Sequence, residues 1–150
     1  IGSQAILGAF PDSPDELVAS IEADIFPIQH PEKADLIDGC IGELSPFHEL
    51  YGYYAHGVGP ETALLPSRWR SRLVCIRNEN TNGITGWCLS PPDLAISKIL
   101  AQRPKDVKFV REMLKLQMIS SCDIKALLPE LPEEQASMIF SWLGSCPGSC

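Results

Sequence analysis

The sequence lacks any apolar run of the roughly 20 residues that a helix needs to cross a bilayer. It also lacks a basic segment followed by an apolar one at its start, which is the pattern of a secretory leader. Both absences predict a cytoplasmic protein with no membrane-spanning part. The chain begins with Ile1 inside an apolar pattern, so we expect that a preceding segment has been removed.

An excess of positive charge is missing as well. The formal net charge is −7, whereas proteins that wrap duplex nucleic acid neutralise several phosphates with clustered Lys and Arg. Sequence-specific DNA binding is therefore not expected. Basic stretches within residues 68–77 and 103–115 leave one local alternative, a metal-free nucleic-acid binder that uses the arginines of the first stretch.

Cysteine pairs at metal-ligand spacing are also absent, because the sequence has six cysteines but no CxxC motif. With 150 residues, of which 45% are hydrophobic, the chain can form a core without disulfides. Cys75 and Cys88 lie in apolar runs, where a free thiol behaves as a small hydrophobic group. Cys146 and Cys150 have no further ligands at zinc spacing. The cysteines are therefore predicted to be reduced and structural.

Length and pattern predict one α+β domain, residues 1–150, with a core over about 1–90 and a helical tail over about 91–150. Apolar residues at a period of two between Val18 and Ile28 predict a half-buried strand. Asn82-Gly83 predicts an antiparallel hairpin of residues 72–77 and 84–89, since both residues tolerate positive φ. The predicted helices are residues 3–10, 31–45, 90–103, 105–118, 120–128 and 132–143. The expected architecture is a small mixed sheet packed against helices, with residues 46–67 as an irregular aromatic loop.

Two carboxylates share one face of the first predicted strand. Glu22 and Asp24 are two residues apart, so strand geometry places them about 7 Å from each other on the same side. Carboxylate oxygens are the ligands that Mg²⁺ prefers, and two such groups can hold metal ions that bridge a triphosphate. A solvated strand face is the alternative interpretation.

Gly2 and Ser3 precede the first predicted helix. Unpaired backbone amides and the helix dipole favour an anion there, and glycine lets a phosphate approach the backbone. The alternative is that Ser3 is an ordinary capping residue whose hydroxyl accepts a hydrogen bond from a nearby amide.

The combination of these two features resembles the nucleotidyltransferase superfamily, in which a Gly-Ser helix start is followed by a strand with DxD or ExD. Residues 93–106, DLAISKILAQRPKD, are also similar to the segment DLxxxKxxAxRxKD of the abortive-infection toxin-like branch and related uncharacterised bacterial families. The resemblance covers most of residues 1–112. It implies a nucleotidyltransferase-like fold.

The resemblance also implies roles for individual residues. Gly2 and Ser3 would bind nucleotide phosphates, and Glu22 and Asp24 would bind Mg²⁺ or Mn²⁺. Lys98 would contact a phosphate or position the acceptor, and Arg103 and Asp106 would complete the site. The predicted catalytic residues are Glu22, Asp24, Lys98 and Asp106, and the predicted nucleotide-binding residues are Gly2, Ser3, Lys98 and Arg103.

The implied activity is transfer of a nucleotidyl group from a nucleoside triphosphate to a hydroxyl of an RNA, a protein or a small molecule. The resemblance further implies a toxin–antitoxin or phage-defence role, with an antitoxin-like protein partner. The family's third carboxylate is missing from residues 72–77. This departure favours the alternative of a catalytically inactive module that keeps the fold and binds a protein partner.

Two histidines and three tyrosines lie in the predicted aromatic loop. His48 and His56 have no partner at ligand spacing and are interpreted as ordinary loop residues. Tyr51, Tyr53 and Tyr54 are interpreted as packing residues, with stacking on a base as the alternative.

Overall fold

The computed structural model describes residues 1–145, and the predicted α+β class with a helical C-terminal part is confirmed. The strands are β1 (Glu22–Ile25), β2 (Tyr54–Gly57), β3 (Val74–Ile76) and β4 (Gly86–Cys88). The α-helices are α1 (Asp15–Val18), α2 (Ala34–Ile41), α3 (Pro46–Tyr51), α4 (Pro91–Ala101), α5 (Pro104–Lys115), α6 (Ser121–Leu127) and α7 (Glu133–Gly144). Short 3-10 helices are Ser3–Gly8, Pro31–Lys33, Pro60–Thr62, Trp69–Arg72, Glu79–Thr81 and Leu128–Glu130.

Helix α4 lies at the centre of the hydrophobic core. The Ser90 side chain accepts a hydrogen bond from the Asp93 amide, and Pro91 occupies the first turn, where its missing N–H costs nothing. Leu94, Ala95 and Ile96 are buried and belong to one cluster with residues of α5, α6 and α7. The four predicted C-terminal helices are therefore confirmed, with bounds that differ by a few residues.

Buried ion pairs fasten the 3-10 helix Trp69–Arg72 to α4 and to the segment before α7. Arg72 donates from Nε and Nη2 to both oxygens of Asp93, at 2.9 and 2.7 Å, and Asp93 is fully buried. Arg72 and Arg68 both donate to Glu130, at 2.9 Å each. The arginine stretch predicted as a basic patch is thus partly neutralised, because these two members are bound to acids.

The strands form two separate pairs. β1 and β2 are parallel, with Glu22 opposite Tyr54 and Asp24 opposite His56. β3 and β4 are antiparallel, as predicted, and Asn82 and Gly83 both have positive φ, at 49° and 77°. The connection is longer than a two-residue turn because the Asn78 side chain caps the intervening 3-10 helix.

The first predicted strand is wrong in its extent and in its burial. Asp15–Val18 is a helical turn, and β1 covers only Glu22–Ile25. Ile21 and Ile25, expected on a buried face, are 54% and 40% exposed. The reason is that, within residues 1–145, β1 has a strand neighbour on one edge only, and α2 packs mainly on β2.

The predicted aromatic loop is also wrong, since it contains α3 and β2. Ser45 caps α3 by accepting from the His48 amide at 3.2 Å, and Gly52 ends the helix with φ 75°. The end of β2 is fixed by Gly57, whose amide donates to Asp38 Oδ1 at 2.9 Å. A side chain at Gly57 would lie 2.0 Å from the backbone oxygen of Ala34, so α2 can approach β2 only at a glycine.

Further local predictions have mixed outcomes. The cap of the opening 3-10 helix is Gly2, with no side-chain hydrogen bond, so the predicted Ser3 cap is wrong. The described cysteines are free thiols, but Cys75 is exposed and Cys88 only half-buried because the β3–β4 pair is covered incompletely. Cys146 and Cys150 lie outside the described residues. None of the described helices is both long and apolar enough to cross a membrane.

Candidate functional site

One cavity of about 550 Å³ brings together every site residue predicted from the sequence. It lies between the start of the chain, the β1–β2 pair and the α4–α5 turn. The residues of the cavity that were predicted from the sequence are Gly2, Ser3, Glu22, Asp24, Lys98, Arg103 and Asp106. His56, which was interpreted as an ordinary loop residue, also lines it.

An acidic wall is formed by β1 and β2. Glu22 and Asp24 are two residues apart on β1, so their side chains lie on the same side of the strand. The parallel register places His56 of β2 beside Asp24. His56 Nδ1 lies 3.2 Å from Glu22 Oε1 and 3.8 Å from Asp24 Oδ1. One ligand atom from each of the three residues lies within 4.8 Å of the others, so the interpretation of His56 as a residue without partners is wrong.

Tyr54 and Gly2 set the positions of the two carboxylates. The Tyr54 hydroxyl donates to Glu22 Oε2 at 3.4 Å from the neighbouring strand. Gly2 has φ 74° and ψ −177°, a conformation open almost only to glycine. A Cβ on Gly2 would lie 2.3 Å from Asp24 Oδ2, so the absence of a side chain there makes room for the Asp24 carboxylate.

The two carboxylates of the acidic wall lie close enough to repel each other. Burial raises the pKa of Asp24, and the nearby Glu22 carboxylate raises it further, while the Ile1 ammonium and His56 oppose the shift. In the described part of the chain, no Lys or Arg side chain forms an ion pair with Glu22 or Asp24. A cation placed between the two carboxylates would relieve this repulsion.

A basic wall of the same cavity is formed by side chains of α4 and of the start of α5. Lys98 Nζ donates to Asp106 Oδ1 at 2.7 Å, and Arg103 Nε donates to Asp106 Oδ2. The Lys98 ammonium also lies 4.6 Å from the centre of the Phe109 ring. Gln102, with φ 54°, ends α4, and the proline at position 104 lies in the first turn of α5, so the chain reverses between the two helices and α5 packs against α4.

Lys98, Arg103 and Asp106 differ in their access to the cavity. The Lys98 and Asp106 side chains are 8% and 1% exposed, whereas that of Arg103 is 61% exposed. Burial alone would raise the pKa of Asp106, but the hydrogen bonds from Lys98 and Arg103 outweigh burial and lower it. Asp106 is therefore an ionised anchor, and the terminal nitrogens of Arg103 remain available to a ligand.

His56 is the site residue that sequence reasoning missed. Its only signal was the short run Tyr54–Gly57, in which a tyrosine and a histidine alternate with small residues. This run forms a strand because it pairs with β1 along one edge and packs against α2 on one face. Without that pairing, nothing in the sequence connects position 56 with positions 22 and 24.

The fold and the cavity together define an α+β protein in which paired acids of a strand and basic side chains of two helices line one cavity. Residues 23–141 match the family described as "Nucleotidyltransferase of unknown function (DUF6036)", and the chain belongs to this family. The resemblance to the nucleotidyltransferase superfamily is thereby confirmed, while the abortive-infection toxin-like branch stays a prediction. No curated protein and no solved structure matches the chain.

Proposed function

We propose that the cavity binds a nucleoside triphosphate with a divalent metal ion and transfers its nucleotidyl group to a hydroxyl of an acceptor. The observation that carries this proposal is that Glu22 and Asp24 line the same cavity as Lys98 and Arg103. A nucleotide with its metal has the complementary arrangement, since the cation needs anionic ligands and the phosphates need cationic ones.

The residues of the acidic wall fit a divalent cation such as Mg²⁺ or Mn²⁺. Two carboxylates and an imidazole nitrogen are close enough to bind one ion with little movement. Burial is the main cause of the raised pKa of Asp24 and repulsion by Glu22 adds to it, so a cation beside both carboxylates would stabilise their ionised forms. When bound, the ion would neutralise charge on the phosphate oxygens.

The residues of the basic wall fit a polyphosphate. Asp106 accepts from Nε of Arg103, which leaves the two terminal nitrogens of that guanidinium for phosphate oxygens. Lys98 contributes positive charge from a more buried position. Asp106 is assigned here as a positioning residue, because both of its oxygens are already bound by these two side chains.

The proposed reaction needs mainly positioning and charge neutralisation. The acceptor oxygen attacks the α-phosphorus and a new phosphorus–oxygen bond forms. The bond from that phosphorus to the β-phosphate oxygen breaks, pyrophosphate leaves, and the hydroxyl proton passes to solvent. Arg103 and Lys98 would hold the phosphates during this step. By the family resemblance, Gly2 and Ser3 would contact the phosphates, and the setting would be a toxin–antitoxin or phage-defence system. The acceptor would be an RNA, a protein or a small molecule.

Calorimetric titration with ATP, GTP, CTP and UTP tests the proposal, with Mg²⁺, with Mn²⁺ and without metal. We expect metal-dependent binding of at least one nucleotide, and its loss in Asp24→Asn, because that substitution removes charge from the acidic wall. Asp12→Asn is the matched control, since Asp12 is exposed and lies outside the cavity. Absence of binding for every nucleotide at saturating metal would overturn the proposal and favour the inactive interaction module.

Gly2→Ala should weaken divalent-metal binding about tenfold, as loss of a group that orients a ligand does. The new methyl group would collide with the Asp24 carboxylate, and the backbone at Gly2 would be strained by about 1–3 kcal/mol. Gly52→Ala is the control, because Gly52 also has positive φ but open space around it. Metal titration of Gly2→Ala and Gly52→Ala separates the collision with Asp24 from the strain of a positive φ. Equal metal affinities of the two variants would contradict the assigned role of Gly2.

A further inference from the structure

We propose that His56 makes this site selective for a first-row transition metal ion, Mn²⁺ in particular, over Mg²⁺. The inference rests on the proposed function in that it concerns the same cavity, and it adds the identity of the ion. It is carried by the parallel pairing of β1 and β2, which places an imidazole beside Glu22 and Asp24.

The geometry is that of a three-ligand set. His56 presents Nδ1 to both carboxylates, at 3.2 and 3.8 Å. Ligands about 2.1 Å from an octahedral cation are about 3 Å apart when adjacent and about 4 Å apart when opposite. The observed separations therefore suit one shared ion, with the remaining positions open to phosphate oxygens and water.

No other carboxylate of the described cavity wall can serve as the third ligand. The acidic residues that line the cavity are Glu22, Asp24 and Asp106. Asp106 is 1% exposed, and Lys98 and Arg103 occupy its two oxygens. Among the carboxylate and imidazole groups of the described cavity wall, that of His56 is thus the third one available to a metal.

An imidazole in place of a third carboxylate changes which metal ion the site prefers. Mg²⁺ is a hard cation that takes oxygen ligands and keeps several waters, whereas imidazole nitrogen suits transition metals. A neutral imidazole also leaves the set with two negative charges in place of the three that three carboxylates would supply. Both divalent ions lose the same electrostatic attraction, but Mg²⁺ also loses an oxygen ligand of the kind it prefers, whereas Mn²⁺ accepts the mixed set of oxygens and nitrogen.

The test compares Mn²⁺ and Mg²⁺ binding to the intact chain and to His56→Asp. Free Mn²⁺ is followed by its electron paramagnetic resonance signal, and Mg²⁺ is measured by competition. We expect at least about tenfold tighter binding of Mn²⁺ in the unchanged protein, and a fall of that ratio by about tenfold or more in His56→Asp. His30→Asp is the matched control, because His30 is an exposed histidine beside the single acid Glu32. Circular dichroism checks that each variant is folded.

Equal affinities for the two ions, or a ratio that His56→Asp leaves unchanged, would overturn the inference. Nucleotide titration at saturating Mn²⁺ and at saturating Mg²⁺ separates this failure from that of the proposed function. Nucleotide binding at saturating metal, together with equal affinities for the two ions, overturns metal selectivity alone. A His56-dependent preference for Mn²⁺ without binding of any nucleotide supports the metal site and overturns the proposed activity.

Discussion

Arg72→Met is expected to destabilise the fold by about 3–5 kcal/mol, the usual cost of leaving one member of a buried ion pair without its partner. Asp93 is fully buried and receives two hydrogen bonds from the Arg72 guanidinium. Methionine has a similar length but no charge or donor. The substitution therefore leaves the Asp93 carboxylate unpaired at the start of α4, the central helix of the core.

The Arg72 guanidinium also forms an ion pair with a second acid, Glu130. Hydrogen bonding by Arg72 is the main cause that lowers the pKa of Glu130 to about 2, and Arg68 adds to it. A carboxyl group with a lowered pKa stabilises the fold above its ordinary pKa, and that contribution is lost as the pH falls toward the lowered value. The network is therefore intact at neutral pH, where the effect of Arg72→Met is largest.

Urea unfolding at neutral pH measures the effect, with Arg77→Met as the control because Arg77 is an exposed arginine of the same stretch. The double variant Arg72→Met, Asp93→Asn should lose less stability than the sum of the losses in the two single variants, since it removes both charges of the pair. A loss below about 1 kcal/mol for Arg72→Met, similar to that of the control, would contradict the network's role.

The helical half could be predicted because its signals are local. Ser-Pro-Pro at position 90, proline at position 104 and Ser120 each mark a helix start within one turn of the observed one. Apolar residues at helical spacing then define the buried faces. Such signals do not depend on distant parts of the chain, so they remain valid before the fold is known.

The strands could be predicted less well because their pairing is not local. β1 was found through its alternating residues, but its exposed isoleucines contradict the expected burial. β2 lacks a strong strand pattern and is defined by its neighbours, β1 on one edge and α2 on one face. A short strand of a two-stranded parallel pair carries too little sequence signal to be separated from a loop.

The residues of the candidate site likewise divide into those that local motifs predict and one that depends on strand pairing. Gly2, Glu22 and Lys98 came from local motifs, and the structure places all three in one cavity. His56 required knowledge of the β1–β2 register, which no single segment contains. The sequence has no third carboxylate in residues 72–77, but that strand pairs with β4 and not with β1, and the imidazole beside the two acids could be recognised only in three dimensions.

Asp106→Asn is the second substitution with a large expected effect, a loss of about 3–5 kcal/mol at neutral pH. The new amide side chain would leave the buried Lys98 ammonium without a negative charge, and its nitrogen would face the Arg103 donor. Because the pKa of Asp106 is lowered, the carboxylate stabilises the fold above the ordinary carboxyl range. The stability difference between the unchanged protein and Asp106→Asn should therefore shrink as the pH falls through the lowered pKa, where Asp106 takes up a proton and resembles asparagine.

Urea unfolding from neutral to acidic pH measures this difference, and Asp12→Asn provides an exposed aspartate with the same change of charge. The double variant Lys98→Met, Asp106→Asn should recover part of the loss, because it no longer buries an unpaired ammonium. Asp106→Asn should also weaken nucleotide binding while leaving metal affinity unchanged, since Asp106 orients Arg103 and is not in the acidic wall. A stability difference between the two proteins that does not change with pH would contradict the role of the Asp106 carboxylate. A loss of metal affinity as large as the loss of nucleotide affinity would contradict the division of the cavity into an acidic wall that binds metal and a basic wall that binds phosphate.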